Sequence, residues 1–276
     1  MDASDSTPQT PDDVYTHGHH ESVVQAHAAR TAQNSAAFLI PYLTPGLSVL
    51  DVGCGPGSIT CDFARMVSPG TVLGLDRSED IVAQARALAE ERGVENASFA
   101  VGNVYDLEID DESFDVVHAH QVLQHLTDPV AALREMRRVA RPGAIVAVRD
   151  ADFHGMSWYP EIPELDEWMD VYQRIARHNG AEPDAGRRLV GWMQEAGFSD
   201  VAPTSSNWLY ATPQQRAWQA RVWSERVLHS AFADQALEYG FAERADLERI
   251  AAGWHRWGAS SDGWFLIPNG EVIARA

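Results

Sequence analysis

The sequence contains no lysine: all 21 basic residues are arginine, set against 40 Asp and Glu for a net charge of −19. That absence removes a Schiff base to a carbonyl or to pyridoxal phosphate, which needs a lysine amine, and a Walker-type phosphate loop, which needs its Lys. Cysteine is almost as scarce. Cys54 and Cys61 are too few for a disulfide framework or a set of zinc ligands. No run approaches the ~18 apolar residues of a membrane span, and the N-terminal MDASDSTPQTPDD lacks the charged and apolar regions of a secretion signal. The acidic balance argues against nucleic-acid or anionic-membrane partners, since both demand concentrated Lys and Arg. These features predict a soluble, cytoplasmic protein that binds neither.

What is present is a chain of 276 residues, 45% hydrophobic, long enough for one large domain or a domain with an elaboration. Residues 1–13 read as a disordered tail, and a helical pattern runs from Ser22 to Tyr42 until Pro41 and Thr44-Pro45-Gly46 stop it. The period then changes. Short apolar runs at 48–52, 71–76, 97–101, 114–118 and 144–148 alternate with helical stretches at 58–67, 79–92 and 129–140. Ser78 is a natural N-cap for the second of these and Gly93 its stop. Strand and helix alternating at this spacing predict an α/β fold, a doubly wound and mostly parallel sheet covered on both faces. Beyond it the composition shifts: all nine tryptophans stand at or after position 158. Residues 164–178 and 187–196 read as helices. Strands are expected at 201–210 and 263–274, the second turning at Pro268-Asn269-Gly270. The mostly helical 213–257 between them predicts an antiparallel last strand pair with a helical insertion.

The strongest chemical signal is Val49-Leu50-Asp51-Val52-Gly53-Cys54-Gly55-Pro56-Gly57-Ser58, a strand running into glycines and then a helix. Such a loop lets a cofactor approach backbone at a helix N-terminus. It is not the dinucleotide fingerprint G-x-G-x-x-G/A, because counting from Gly53 the sixth residue is Ser58. Asp51 inside the strand end suits a cationic ligand better than a pyrophosphate. Alternatively it caps a helix. Asp76 closes the next strand, where a carboxylate can bind ribose hydroxyls bidentately. Gly102-Asn103-Val104 follows the third strand, placed to flank an adenine.

Over residues 46–150, the segments VLDVGCGPGSIT, LGLDRSEDIVAQA, VGNVYDL and FDVVHAHQVLQHLTDPVAALREMRRVARPGAIVAV resemble those of class I S-adenosylmethionine-dependent methyltransferases, in particular the UbiE-like branch (ubiquinone/menaquinone biosynthesis methyltransferase type). The resemblance implies a seven-stranded Rossmann-like methyltransferase fold, S-adenosylmethionine as cofactor with S-adenosylhomocysteine as product, no metal, and a small-molecule acceptor for a monomer or homodimer. Residues 46–152 would form the cofactor-binding core and residues 14–45 lid helices. Residues 153–276 would complete the sheet and carry a Trp-rich cap inserted at about 213–258. Backbone of Gly53, Cys54 and Gly55 would meet the methionine part of the cofactor, with Asp51 nearby. Asp76 would take the ribose hydroxyls, and Arg77 and Ile81 would border the adenine. Asn103, where relatives often have Asp, would read the adenine edge with the Val104 amide, next to Gly102. Ala119 and His120 would line the methyl-transfer site, with His120 and Gln121 aimed at the sulfonium. Tyr15, His19 and His20 would belong to the lid, which makes His20 a second candidate base beside His120. Arg30 either pairs with the cofactor carboxylate or is a solvated helix charge.

The chemistry so implied is in-line displacement on the methyl group, to an O, C or N acceptor of apolar or aromatic character. For a phenol or carbon acid, a histidine such as His120 suits proton removal near neutral pH. The chain lacks the Asn/Asp-Pro-Pro-Tyr/Phe tetrad of nucleic-acid base methylation. At the fourth strand HAHQVLQHL replaces the glycine-containing stretch of the quinone C-methylating members. Cys54 reads as a small filler and His118 as a packed strand residue. The tryptophans either fill the core of the cap or roof the acceptor site. A non-catalytic S-adenosylmethionine sensor and a nicotinamide-dependent oxidoreductase are the alternatives.

Overall fold

The five apolar runs form strands, and the computed structural model, which describes residues 13–14 and 30–276, joins them in one sheet. β1 (Ser48–Val52), β2 (Thr71–Asp76) and β3 (Ala97–Val101) lie side by side and parallel, and β4 (Phe114–His120) and β5 (Ala140–Ala151) continue parallel on the other side of β1. The chain order therefore reverses between β1 and β4. In a doubly wound sheet this is where a ligand crevice opens, at the carboxyl ends of the strands.

α1 (Ser58–Val67), α2 (Glu79–Glu91) and α3 (Pro129–Val139) cover the two faces. α2 begins where the Ser78 hydroxyl accepts the Ile81 amide, and Glu79 and Asp80 occupy its first turn. There the unpaired N–H groups favour acids. On the α1 side Val49, Phe63 and Val116 pack together, while Leu50, Val117, Leu133 and Met136 fill the α3 side.

The far end of the sheet is antiparallel, as the sequence predicts, but built from three strands. β6 (Ser157–Tyr159) and β5 pair with one edge of β8 (Trp264–Arg275), and β7 (Val201–Tyr210) runs along the other. The sheet therefore has eight strands; three residues are too short a run for β6 to announce itself by periodicity. The expected turn at Pro268-Asn269-Gly270 is absent, and β8 passes straight through it. The reason is positional. The Pro268 carbonyl accepts the Asp152 amide, so its nitrogen faces the same edge, in the gap between the β5 and β6 pairings, where no ladder donor is required.

α4 (Pro163–His178) and α5 (Leu189–Glu195) precede β7, and the segment after β7 folds as α6 (Pro213–His229), α7 (Ala231–Glu238) and α8 (Arg244–Ala259). Trp168 from α4 meets Trp223 and Trp254 edge to face at 4.5 and 4.9 Å, with Tyr172, Trp257 and Phe265 around them. Aromatic pairs in this geometry add ~0.5–1.5 kcal/mol each beyond area burial. These helices thus have a core of their own, separate from the two that cover the sheet.

At the N-terminal side two expectations change. Within the described part of the predicted 22–42 helix there are only two short pieces, Ala32–Ser35 and Ile40–Tyr42. Thr31 starts the first with a reciprocal capping box to Asn34, and Pro41 confines the second to a single turn. Asp13, expected as the end of a disordered tail, is anchored. Its carboxylate accepts the Thr127 amide at 2.7 Å and the Tyr105 hydroxyl at 3.1 Å, and its carbonyl accepts from Arg77. Among the described residues no helix is long and apolar enough to cross a membrane.

Candidate functional site

The loop after β1 turns at Gly53 and Gly55, with φ of +66° and +54°. A Cβ at Gly53 would stand 2.3 Å from the Val122 side chain, so glycine lets this loop close against the end of β4. A Cβ at Gly55 would meet nothing within 4 Å, so this stretch of backbone faces open space. The Cys54 amide donates to the Leu75 carbonyl and ties the loop to β2. Burial, with Asp51 and Asp76 nearby, raises the Cys54 thiol well above its ordinary pKa. It packs as an inert filler, in line with the sequence reading.

Asp51 is 2% exposed, and both its oxygens are engaged: Oδ2 accepts the Thr60 hydroxyl at 2.6 Å and Oδ1 meets His118 Nδ1 at 2.7 Å. It caps no helix. It locks the first turn of α1 to β4 beneath the glycine loop, and His118, fully buried, packs edge-on to Phe63. At the end of β2 the half-buried Asp76 accepts the Gly55 amide and the Ser78 amide, each at 3.1 Å, joining the loop to the start of α2. Ile81 is buried just beyond, and Arg77 is exposed. After β3 the Gly102 amide donates to the Asp76 carbonyl, Val104 is half-buried and Asn103 is exposed, its Oδ1 accepting the Tyr105 amide. Asp51, Gly53, Cys54, Gly55, Asp76, Gly102 and Asn103 thus gather at one edge of the sheet. Tyr15, His19 and His20 lie outside the described residues.

The end of β4 is the other wall. Alternation along the strand turns Ala119 into the core on the opposite face from His118 and His120, so only its backbone can reach the crevice. His120 is 5% exposed, stacked beside His118 and edge-on to Trp208 at 5.7 Å. Gln121 has φ of +56°, a conformation uncommon outside glycine. Three bonds hold it: its amide donates to the Arg149 carbonyl at 2.7 Å, Nε2 donates to Asn269 at 3.1 Å, and Oε1 accepts from Arg30 at 3.0 Å.

Gln121 borders a cavity of about 390 Å³. Trp208 and Tyr210 of β7, with Trp218, Trp223 and Arg226 of α6, form its roof, and Arg30, His125 and Phe153 lie on the other sides. Of the nine tryptophans, Trp208, Trp218 and Trp223 line this cavity, and Trp223 packs at the same time into the cap core with Trp168, Trp254 and Trp257. Behind Trp208 is a buried ion pair that the sequence reading missed. Arg149, 1% exposed, donates Nε to Glu271 at 3.2 Å, and its guanidinium lies 4.4 Å from the Trp208 ring centre. Ser206 and Thr204 complete the shell around Glu271. Burial lowers Arg149 to about 10 against the pull of Glu271. The signal available in the sequence, a charge inside an apolar run of β5, shows that Arg149 needs a partner but not which one.

Two titrations next to the cavity run in opposite directions. Burial raises Asp150 to about 8, its Oδ1 accepting the Gln124 amide. Burial and the nearby Arg30 charge lower His125 to about 3. Unfolding lets Asp150 ionise, so its contribution to stability is complete below the ordinary carboxylate pKa and is lost as pH rises toward 8. For His125 stability is present above the ordinary imidazole pKa and is lost as pH falls toward 3. Asp150→Asn, which keeps the Oδ1 acceptor, is expected to flatten the alkaline slope, losing about 2–4 kcal/mol less than wild type between pH 5 and 8. Urea unfolding at a series of pH values measures this. Parallel profiles for the two proteins would show that Asp150 is ionised in the folded state.

A family model described as "Methyltransferase domain" matches residues 43–208. An uncharacterised methyltransferase of Schizosaccharomyces pombe is 36% identical over 269 residues, 94% of this chain and 95% of its own. A probable methyltransferase of Aspergillus luteorubrus is 30% identical, covering 98% and 99% of the two chains. Among solved structures, the YcgJ protein of Bacillus subtilis superposes with a TM-score of 0.57 over 88% of this chain and 98% of its own, at 18% identity, a likeness of fold.

Proposed function

This chain belongs to the methyltransferase-domain family, as a class I S-adenosylmethionine-dependent methyltransferase acting on a small organic acceptor, and from that premise we propose how its own residues divide the work. The observation that carries the assignment of roles is that Gly53 of the glycine loop packs against Val122, next to Gln121 of the cavity wall, while Asp76 holds Gly55 of the same loop.

The residues present fit the cofactor. Backbone facing open space at Gly55 suits a close-lying ligand. Each Asp76 oxygen accepts one amide and keeps a lone pair for a ribose hydroxyl. We assign the methionine part of the cofactor to Gly53, Cys54 and Gly55 and the ribose to Asp76. Its adenine goes to Arg77, Ile81, Gly102, Asn103 and Val104. Asp51 acts through Thr60 and His118, holding the loop rather than offering a free carboxylate. When bound, S-adenosylmethionine supplies a methyl group on a positively charged sulfur, open to in-line displacement. The chain's contribution is alignment at ~3 Å between nucleophile and methyl, and exclusion of water. Gln121 and Arg30 form the cavity wall nearest that point, with Ala119 backbone beside them. His125, held neutral to about pH 3, is too weak a base to take a proton at neutral pH. His120 is our candidate for that task.

The motifs of residues 46–150 support placement in the UbiE-like branch, while the end of β4 and the cap point to an acceptor other than a quinone precursor. The −19 charge supports a small acceptor over nucleic acid, and a monomer or homodimer is our expectation for its assembly. Transfer of radiolabelled methyl from S-adenosylmethionine into a fractionated extract of the source cells tests the reading. Label is expected in a small, organic-extractable compound. Label in protein or nucleic acid would overturn the acceptor class.

A further inference from the structure

One face of α6 lines the cavity in the rhythm of a helix: Gln215, Trp218, Gln219, Val222, Trp223 and Arg226. Most polar side chains around the space are engaged by the protein itself. Gln121 bonds Asn269 and Arg30, Gln215 closes a capping box with Thr212, and Asn34 accepts the Thr31 amide. Arg226 is engaged as well. Two groups differ from these. The carboxamide of Gln219, only 3% exposed, has no hydrogen-bond partner among the described residues, and neither has the half-buried Tyr210 hydroxyl. A carboxamide buried without partners is costly, because its donors and its acceptor lose water and gain nothing in return. Gln219 lines the cavity, so a molecule occupying that space is placed to satisfy it. Burial raises the Tyr210 hydroxyl above its ordinary pKa, so it stays protonated and donates. Its ring stacks on that of Trp218 at 5.8 Å, which fixes where the hydroxyl stands.

We propose, building on the methyltransferase reading above, that Gln219 is a specificity-determining residue for an aromatic acceptor. That acceptor carries an uncharged group with a hydrogen-bond donor beside an acceptor atom, as an amide or lactam does. The Gln219 carboxamide pairs with such a group reciprocally, its N–H to the carbonyl and its oxygen to the donor. The Tyr210 hydroxyl supplies a further donor for the carbonyl. Trp208, Trp218 and Trp223 offer indole surface to a flat ring, and about 390 Å³ is enough for one or two fused rings. Both groups left for a ligand are neutral, and a charge buried against neutral partners keeps its desolvation cost. The pair therefore favours an amide over the matching carboxylate.

The test is calorimetric, on the full-length protein saturated with S-adenosylhomocysteine. The probes are 2-naphthamide, 2-naphthoate, and 2-acetonaphthone, which has a methyl group in place of the amide nitrogen. The amide is expected to bind about 3–10-fold more tightly than the ketone, the range of one net hydrogen bond, and more tightly than the naphthoate. Gln219→Met keeps the side chain's length without its donor and acceptor, and is expected to bring amide and ketone within about twofold of each other. Tyr210→Phe keeps the stacked ring and is expected to weaken both by about 3–10-fold, since both carry the carbonyl. A merely structural role for Gln219 would weaken amide and ketone alike and leave the preference in place. The first titration, of S-adenosylhomocysteine itself, separates the two readings: its failure in wild type counts against the methyltransferase assignment, not the pocket. Equal binding of amide and ketone, binding of no probe, tighter binding of the naphthoate, or a preference that survives in folded Gln219→Met overturns the proposal. The wild-type comparison stands even where a variant fails to fold, and Gln219→Leu is a second apolar replacement. Retained S-adenosylhomocysteine binding identifies the variants that have folded.

Discussion

Asp76→Ala is expected to weaken S-adenosylhomocysteine binding by about 100-fold or more, with methyl transfer lost in proportion. Two effects combine. As a ribose partner the carboxylate contributes two charged hydrogen bonds of ~1.5–3 kcal/mol each, and about 2.7 kcal/mol already corresponds to a factor of 100. The same side chain also accepts the Gly55 and Ser78 amides, so its removal loosens the loop that faces the cofactor. Asp76→Asn separates the two. It keeps one acceptor oxygen but replaces the other with a donor, which cannot take an amide N–H, and should fall between wild type and Asp76→Ala. Isothermal titration reads the affinity, and a thermal melt without ligand reads the loop's share. Unchanged affinity in a folded Asp76→Ala protein would place the ribose elsewhere.

Glu271→Ala should be the most damaging single change to stability outside the aromatic core, at about 3–5 kcal/mol, because it strands a buried charge. Arg149 and Glu271 are 1% and 5% exposed, and Arg149 Nη1 has no partner among the described residues. Removing Glu271 therefore leaves a guanidinium out of water with the Ser206 hydroxyl as its remaining side-chain acceptor. The double variant Arg149→Met with Glu271→Leu should recover most of the loss, since a well-packed apolar pair avoids the desolvation penalty. It should nevertheless weaken acceptor binding, because the cation 4.4 Å from the Trp208 ring helps set that indole's position in the cavity wall. Urea midpoints measure the first claim, and the rate of methyl transfer into the labelled extract compound the second. A loss below ~1 kcal/mol for Glu271→Ala would show that water reaches Arg149.

The stretch from residue 46 to 151 was largely legible because its signals are local. The run Ser48–Val52, its glycines and the helix at Ser58 follow one another within eleven residues. Ser78 and Gly93 bound α2 as the capping chemistry requires. Where two local signals competed, reading failed. Pro268-Asn269-Gly270 has turn composition, yet β7 pairs along the whole of β8 and overrides it. Burial at Asp51 was also illegible. A carboxylate at a strand end looks the same whether it faces a ligand or, as here, Thr60 and His118.

The amino-acid order by itself determined the doubly wound core, the glycine loop and Asp76 at the next strand's end, because periodicity, capping and turn chemistry act over a few residues. Only the tertiary structure decided which three tryptophans line a cavity, that Arg149 finds Glu271 122 positions away, and that Gln121 finds Asn269 148 positions away. Those pairings depend on the register of β5, β7 and β8 and on how the inserted helices dock. Side-chain burial and long-range electrostatics are properties of that packing, and no window of sequence contains them.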